Sequence, residues 1–207
     1  MRRLIICGSP RALGRSAALA EALADAYRVQ GDEVDLVSLA SVDIASCTGC
    51  LVCEQNLRVH GRDPLYCVIA DGMVRVRALL NEAEALTVVS PVYFSGAPSQ
   101  LKAFFDRLQP YYYAHMFKSK RPCDLFVVGE GGDPHGFAAL VSETRSALAV
   151  AGFRLETVHD WVGLIRPDGA LMDEVGALCG GRVSPASEYL MQTPTGIFPK
   201  VGEDVHA

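Results

Sequence analysis

Arg3-Leu4-Ile5-Ile6-Cys7-Gly8-Ser9-Pro10-Arg11-Ala12-Leu13-Gly14-Arg15-Ser16 opens the first structural unit of the chain. The run Arg3 to Cys7 is short and apolar and stops at Gly8-Ser9-Pro10, as a buried strand does on entering a turn. From Leu13 to Gln30, apolar residues recur at Leu19, Ala22, Leu23, Ala26 and Tyr27, a helical spacing in a segment rich in Ala, Leu and Glu. Gly31-Asp32 ends that helix, and Glu33 to Leu39 alternates like a strand. Strand, helix and strand within about forty residues make a βαβ unit.

The pattern repeats downstream. Helices are predicted over Asp71 to Asn81, from Pro98 or Ser99 through Leu108, and over His135 to Ala151. Strands are predicted at Ala85 to Ser90, Asp124 to Val128 and Phe153 to Val158. Five strands alternating with helices imply a parallel sheet covered on both faces, and the first, third and fourth are almost wholly apolar, as buried central strands should be. After Asp160 the pattern weakens: Leu171 to Cys179 reads as a helix, and Ser184 to Ala207 is too rich in Gly and Pro to assign.

Composition narrows the class. The 207 residues, 50% hydrophobic and 21% charged, suit one domain with a sizeable core, or one domain with an appendage. A net charge of −5 argues against a nucleic-acid backbone as partner. No stretch approaches the roughly 18 apolar residues of a membrane helix, and Leu4 to Cys7 is too short for a secretory core. The expectation is a cytoplasmic protein that engages neither membrane nor nucleic acid.

Glycines and small polar residues follow three predicted strands, at Gly8 to Ser16, Ser90 to Gly96 and Gly129 to Gly136. Right-handed crossovers bring such loops to one edge of a parallel sheet, where ligands bind at the switch in strand order. In the first loop the Ser9 and Ser16 hydroxyls, the Arg11 guanidinium and the free N–H groups of a helix start suit an anion. It lacks the lysine of a Walker A loop and the G-x-G-x-x-G spacing, and Ser16 would also serve as a plain helix cap. The second loop, Pro91 to Gln100, offers Tyr93, Phe94 and free amides to a flat heterocycle, unless the two rings simply pack under the next helix. The third lets main chain approach a ligand closely, or is an ordinary turn.

Taken together, these segments resemble the NADPH-dependent FMN reductase and iron–sulfur flavoprotein family over roughly residues 3 to 155. Gly8 to Ser16 is similar to its G-S-P-R-x-x-G-x-[ST] phosphate loop, and Ser90-Pro91-Val92-Tyr93-Phe94-Ser95-Gly96 through Gln100 to Arg107 resembles its second flavin loop and helix. Cys47-Thr48-Gly49-Cys50-Leu51-Val52-Cys53, with Cys67 to Met73, is similar to its cysteine segment. The resemblance implies an α/β, flavodoxin-like, doubly wound five-stranded parallel sheet of order 2-1-3-4-5 with helices on both faces. It implies that Ser9, Arg11, Arg15 and Ser16 hold the phosphate of FMN. It implies that Pro91, Val92, Tyr93, Phe94, Ser95 and Gly96 line the isoalloxazine, with Gly131 and Gly132 near the ring. Arg15 stands where the family commonly has Asn, which keeps a donor and adds charge. Residues 1–160 would form the FMN domain, with a cysteine-containing loop at 45–70. Residues 161–207 would be an extension on the same domain or on a neighbouring subunit.

The cysteines are spaced C-x2-C-x2-C-x13-C from Cys47 to Cys67. Three such close thiolates can face one cluster, and four are what a [4Fe–4S] centre requires. The long gap reads as a loop insertion, Glu54 to Tyr66, which costs little closure entropy. Other readings stay open: a motif without a cluster, a Cys47/Cys50 dithiol, or an all-thiolate zinc site. An odd total of seven cysteines argues against a disulfide framework, and Cys7, Cys123 and Cys179 are expected to pack as small apolar residues. His115, beside Tyr111-Tyr112-Tyr113, and also His135 and His159, are candidates for proton transfer or plain surface or packing residues.

The expected function is an FMN-dependent NAD(P)H oxidoreductase passing electrons to a quinone, flavin or other small acceptor, with the flavin rather than a catalytic side chain carrying the chemistry. Ping-pong kinetics and a homodimer or homotetramer go with it. An electron carrier with FMN and a [4Fe–4S] cluster is the alternative, and a flavin-free binding module a third.

Overall fold

The computed structural model describes residues 1–59, 63–114, 117, 119–132, 134–175 and 181–189. Six strands form one sheet: β1 (Arg2–Cys7), β2 (Glu33–Ser38), β3 (Ala85–Pro91), β4 (Arg121–Val128), β5 (Phe153–Asp160) and β6 (Arg182–Pro185). Their order is β2-β1-β3-β4-β5-β6. The first five pair in parallel in the expected sequence, and β6 adds an antiparallel edge to β5. The sheet thus has one strand more than the five expected. Four residues are too few to show a period, and Pro185, which has no N–H to donate, fits only at such an edge.

The helices are α1 (Arg15–Val29), α2 (Val52–Val59), α3 (Met73–Glu82), α4 (Ser99–Asp106), α5 (Gln109–Ala114) and α6 (Ala138–Val150). The central strands bury alternate side chains on opposite faces, which is why they read as continuous apolar runs. Leu4, Ile6, Leu86, Val88, Leu125 and Val127 join a core with Val76 and Leu80 of α3, Phe104 of α4 and Leu140 and Leu148 of α6. Ile5, Cys7, Val89, Phe126 and Val128 meet Leu19, Leu23 and Tyr27 of α1 on the other face. Trp161 and Ile165 complete this second core, so the chain just past β5 packs on the same sheet.

Two elements differ from expectation. Residues 171–175, read as the start of a helix, instead make an isolated bridge from Leu171 to Ile165 and then bend. The rest of that stretch, with Cys179, lies outside the described residues, as do His115 and residues 190–207 of the tail. The segment read as an inserted loop instead begins with α2, entered through Leu51 at φ 60°, whose carbonyl accepts from Glu54 and Gln55 N–H. Eight residues, little more than two turns, are too short a stretch for periodicity to separate from a loop. Among the described residues no helix is long and apolar enough to cross a membrane.

Candidate functional site

Backbone hydrogen bonds carry the ladder past the ends of the central strands, so the three loops leave the sheet side by side. Gly8 N–H donates to Val89 O at 2.8 Å, Val92 N–H to Val128 O at 3.0 Å, and Gly163 N–H to Gly129 O at 2.9 Å. Gly8 admits α4 here: a Cβ on it would lie 2.8 Å from the Leu101 side chain. The loops enclose a crevice of about 390 Å³, within the size range of small-molecule sites, at the switch between β1 and β3.

Its lining includes Ser9, Arg11, Arg15, Ser16, Pro91, Val92, Tyr93 and Gly131, all expected from sequence, together with Gly14, Val128, Gly129 and Glu130. A contiguous cavity, sharing Val92 and Gly129 to Gly131, adds Gly132, Gly136, Phe137, Asp160 and Val162. Gly129 and Gly136 were legible as turn residues; Asp160 and Val162 carry no local signal, because β5 and the chain after it deliver them from far along the sequence.

One end of the crevice has features that suit an anion. Helix α1 starts after Gly14 with no side-chain cap and no acidic residue in its first turn, so its first amides and the positive end of its dipole face the loop. Ser9 and Ser16 are buried, and Ser9 Oγ accepts the Arg11 N–H at 3.1 Å, which orders the turn. Ser16 caps nothing. Cys7 lies beneath this loop; burial pushes its thiol pKa up, only partly offset by a hydrogen bond from the Ser9 backbone, so it is a packing residue. Arg15 reaches across the mouth: its Nε donates to Ile165 O at 3.0 Å and its Nη1 pairs with Glu130 Oε1 at 2.6 Å. One guanidinium thereby ties α1 to the third loop and to the chain after β5.

The other end is a tight turn. Tyr93 and Gly96 exchange N–H···O bonds of 3.0 Å, and the two residues between them, Phe94 and Ser95, have φ of 51° and 66°. Non-glycine residues in the left-handed region are strained, and such strain collects at ligand sites. The turn is held from behind by Glu143, which accepts Ala97 N–H at 3.2 Å, and by Ser95 O, which accepts Leu140 N–H at 3.2 Å. Tyr93 is half-exposed and Phe94 fully so, which excludes packing of either under the next helix. Phe94, Ser95 and Gly96 form the outer tip of the turn and line neither cavity. In the third loop Gly131 and Gly132 both have φ near 90°, a backbone open to glycine that brings bare main chain to the rim. His159 is buried on β5, its ring stacked on Phe126 at 4.0 Å, a packing position rather than a place at the mouth. His135 sits exposed ahead of α6.

Cys47, Cys50, Cys53 and Cys67 all line a separate, largely apolar cavity of about 120 Å³, with Arg107 and Pro110. All four are free thiols. Burial raises the Cys53 pKa. Hydrogen bonds from the Val52 backbone and the Thr48 hydroxyl lower that of exposed Cys50. Yet among the described residues no three His, Cys, Asp or Glu side chains come close enough together to hold a metal ion. The thiols share a cavity without forming a ligand set.

Residues 1–163 match the family model described as NADPH-dependent FMN reductase. An iron–sulfur flavoprotein from Archaeoglobus fulgidus is 30% identical over 150 residues, which is 72% of this chain and 64% of that protein. Another, from Methanosarcina thermophila, is 27% identical over 164 residues, 76% of this chain and 70% of that one. The matched stretch thus spans less than two thirds of the first of these relatives. Among solved structures, an NAD(P)H:quinone oxidoreductase from Methanothermobacter marburgensis shares 82% of this chain and 90% of its own at 17% identity, with a TM-score of 0.57. A flavoenzyme NAD(P)H:(acceptor) oxidoreductase from Paracoccus denitrificans gives 85%, 88%, 14% and 0.56 for the same quantities. At these identities the likeness is one of fold.

Proposed function

The chain belongs to the NADPH-dependent FMN reductase family, and from that membership we propose that it is an FMN-dependent NAD(P)H oxidoreductase delivering electrons to a quinone, flavin or other small acceptor. The observation that carries the proposal is the crevice itself, which joins an uncapped helix start flanked by Arg11 and Arg15 to an aromatic turn and a glycine rim. The donor set fits FMN. Ser9, Arg11, Arg15, Ser16 and the first amides of α1 would take the phosphate. Pro91, Val92 and Tyr93 would lie along the ring, with Gly131 and Gly132 at its rim and the exposed Phe94-Ser95-Gly96 tip at its open side. The bound flavin would supply hydride acceptance from the nicotinamide and onward transfer. The protein binds, orients and leaves one face open. We read residues 1–160 as this unit, and the chain after β5 as part of its wall.

Reconstitution tests the proposal. The protein should bind FMN with quenched flavin fluorescence and oxidise NADH or NADPH in the presence of a quinone, with the parallel-line pattern of a ping-pong scheme. A preparation that ignores added FMN would leave a flavin-free binding module as the better reading, and a ternary-complex pattern would exclude one shared binding face. Homodimers or homotetramers with the exposed turn near the contact belong to the same proposal.

A second reading, an electron carrier holding FMN and a [4Fe–4S] cluster, draws on the common cavity of the four cysteines and on the relatives described as iron–sulfur flavoproteins. Iron and acid-labile sulfide analysis of anaerobically purified protein decides it: four of each per chain supports the carrier, and none supports the simple reductase or a bare thiol site.

A further inference from the structure

The long gap between Cys53 and Cys67 leaves it unexplained why the last cysteine joins the other three. Arg107, at the end of α4, supplies a reason. Its side chain is 1% exposed and pairs with Asp71, itself 9% exposed, at 2.6 Å. Nη1 donates to Ala45 O at 2.8 Å and to Asp71 Oδ2, and Nη2 donates to Ile69 O at 3.0 Å and to Asp71 Oδ1. Ala45 lies two residues before Cys47, and Ile69 two residues after Cys67. The same carboxylate accepts the N–H groups of Ala45 and Met73 at 2.9 and 3.0 Å. One buried ion pair therefore ties the two ends of the cysteine segment to each other and to α4.

A guanidinium has five N–H donors. Four are used in this way; the fifth, on Nε, is buried with no acceptor among the described residues, although Arg107 lines the thiol cavity. Cys67 stands beside the guanidinium, close enough for its sulfur to support that charge by Coulomb attraction and hydrogen bonding. An orphaned buried donor is costly, so the cavity wall has a donor ready for a sulfur or for whatever the sulfurs bind.

We propose that Arg107, clasped by Asp71, is the positioning residue of the cysteine cavity: it closes the segment at both ends and keeps Cys67 in one cavity with Cys47, Cys50 and Cys53. A lysine in its place has three donors on one nitrogen and could not reproduce these four bonds, which need the spread of the guanidinium fork. The proposal concerns the thiols alone and stands apart from whether the crevice binds FMN or the cavity binds iron.

The test is limited oxidation of the reduced full-length protein with diamide, which takes two electrons and two protons from each pair of thiols as their S–S bond forms. Disulfides are then mapped by mass spectrometry. In the wild type, Cys67 should appear paired with Cys47, Cys50 or Cys53. In Arg107→Met and Arg107→Lys those pairs should fall at least tenfold, while pairs within Cys47, Cys50 and Cys53 and the near-UV circular dichroism stay unchanged. Should Arg107→Met fail to fold, Asp71→Asn, which keeps one acceptor oxygen but loses the charge, should show the same selective loss. Wild-type yields of Cys67 pairs in any of these variants, when folded, would overturn the proposal. So would an equal loss of all pairs, which marks a merely structural role.

Discussion

If Arg15 holds the FMN phosphate as proposed, Glu130 competes with that phosphate for its guanidinium. Its carboxylate meets Arg15 Nη1 at 2.6 Å across the mouth of the crevice, with the two side chains 73% and 23% exposed. An ion pair this open to water is worth about 0.2–1 kcal/mol after screening, and under the proposed function the phosphate of FMN would share or displace it. Replacing Glu130 by Gln keeps the size and removes the charge. At about 1.4 kcal/mol per tenfold, FMN should then bind up to about fivefold more tightly at low ionic strength. The gain should shrink at high salt, where exposed charges are screened within a few ångströms. Riboflavin has the ring without the phosphate, and its affinity should not change. Arg15→Ala works in the opposite direction. Losing a charged donor of about 1.5–3 kcal/mol should weaken FMN by tenfold or more, again with little effect on riboflavin. Titration of flavin fluorescence with each protein measures all of these. If Glu130→Gln weakened FMN, or tightened riboflavin as much as FMN, Arg15 would be a strut for the third loop and not a phosphate ligand.

Gly14 has φ 140° and ψ −172° at the start of α1, a region open almost only to glycine, while a Cβ there would meet nothing within 4 Å. Gly14→Ala should cost about 1–3 kcal/mol, seen as a Tm lowered by about 2–4 °C per kcal/mol, and Gly14→Ser should cost about the same; a much larger loss for Ser would point to crowding instead. Burial raises the Asp71 pKa, but hydrogen bonds from Arg107 and from the Ala45 and Met73 amides more than offset it, leaving the carboxyl below its ordinary 3.8. Its stabilising effect is therefore complete above that pH and lost as pH falls through the lower folded value. The Tm gap between wild type and Asp71→Asn should narrow below about pH 4, and a gap constant down to pH 2 would contradict the assignment. Iodoacetamide should label exposed Cys47 and Cys50 in the native protein, and buried Cys7 and Cys123 only after unfolding; early labelling of Cys123 would mean that β4 opens locally.

The sequence by itself determined the parallel core and the position of its loops. Almost wholly apolar runs such as Leu4 to Cys7 and Leu86 to Val89 are demanded by burial on both faces, and Gly8, Ser9 and Gly131 mark where the chain must turn, so each signal is local. Ser9, Arg11, Ser16, Pro91 and Tyr93 could be chosen for the same reason, since topology alone sends the ends of parallel strands to one edge.

What only the tertiary structure decided is non-local. The Arg15–Glu130 pair joins residues 115 positions apart and takes part of a guanidinium that the motif assigns wholly to phosphate. Phe94 lies fully in solvent although its apolar ring suggests packing, because the hydrogen bonds between Tyr93 and Gly96 turn it outward. Strand β6 exists because β5 offers an open edge, and four residues cannot announce a pairing that their partner dictates. The cysteine spacing shows four thiols and not where they stand; that depends on Arg107 reaching across from α4, and a buried ion pair has no signature in the order of residues.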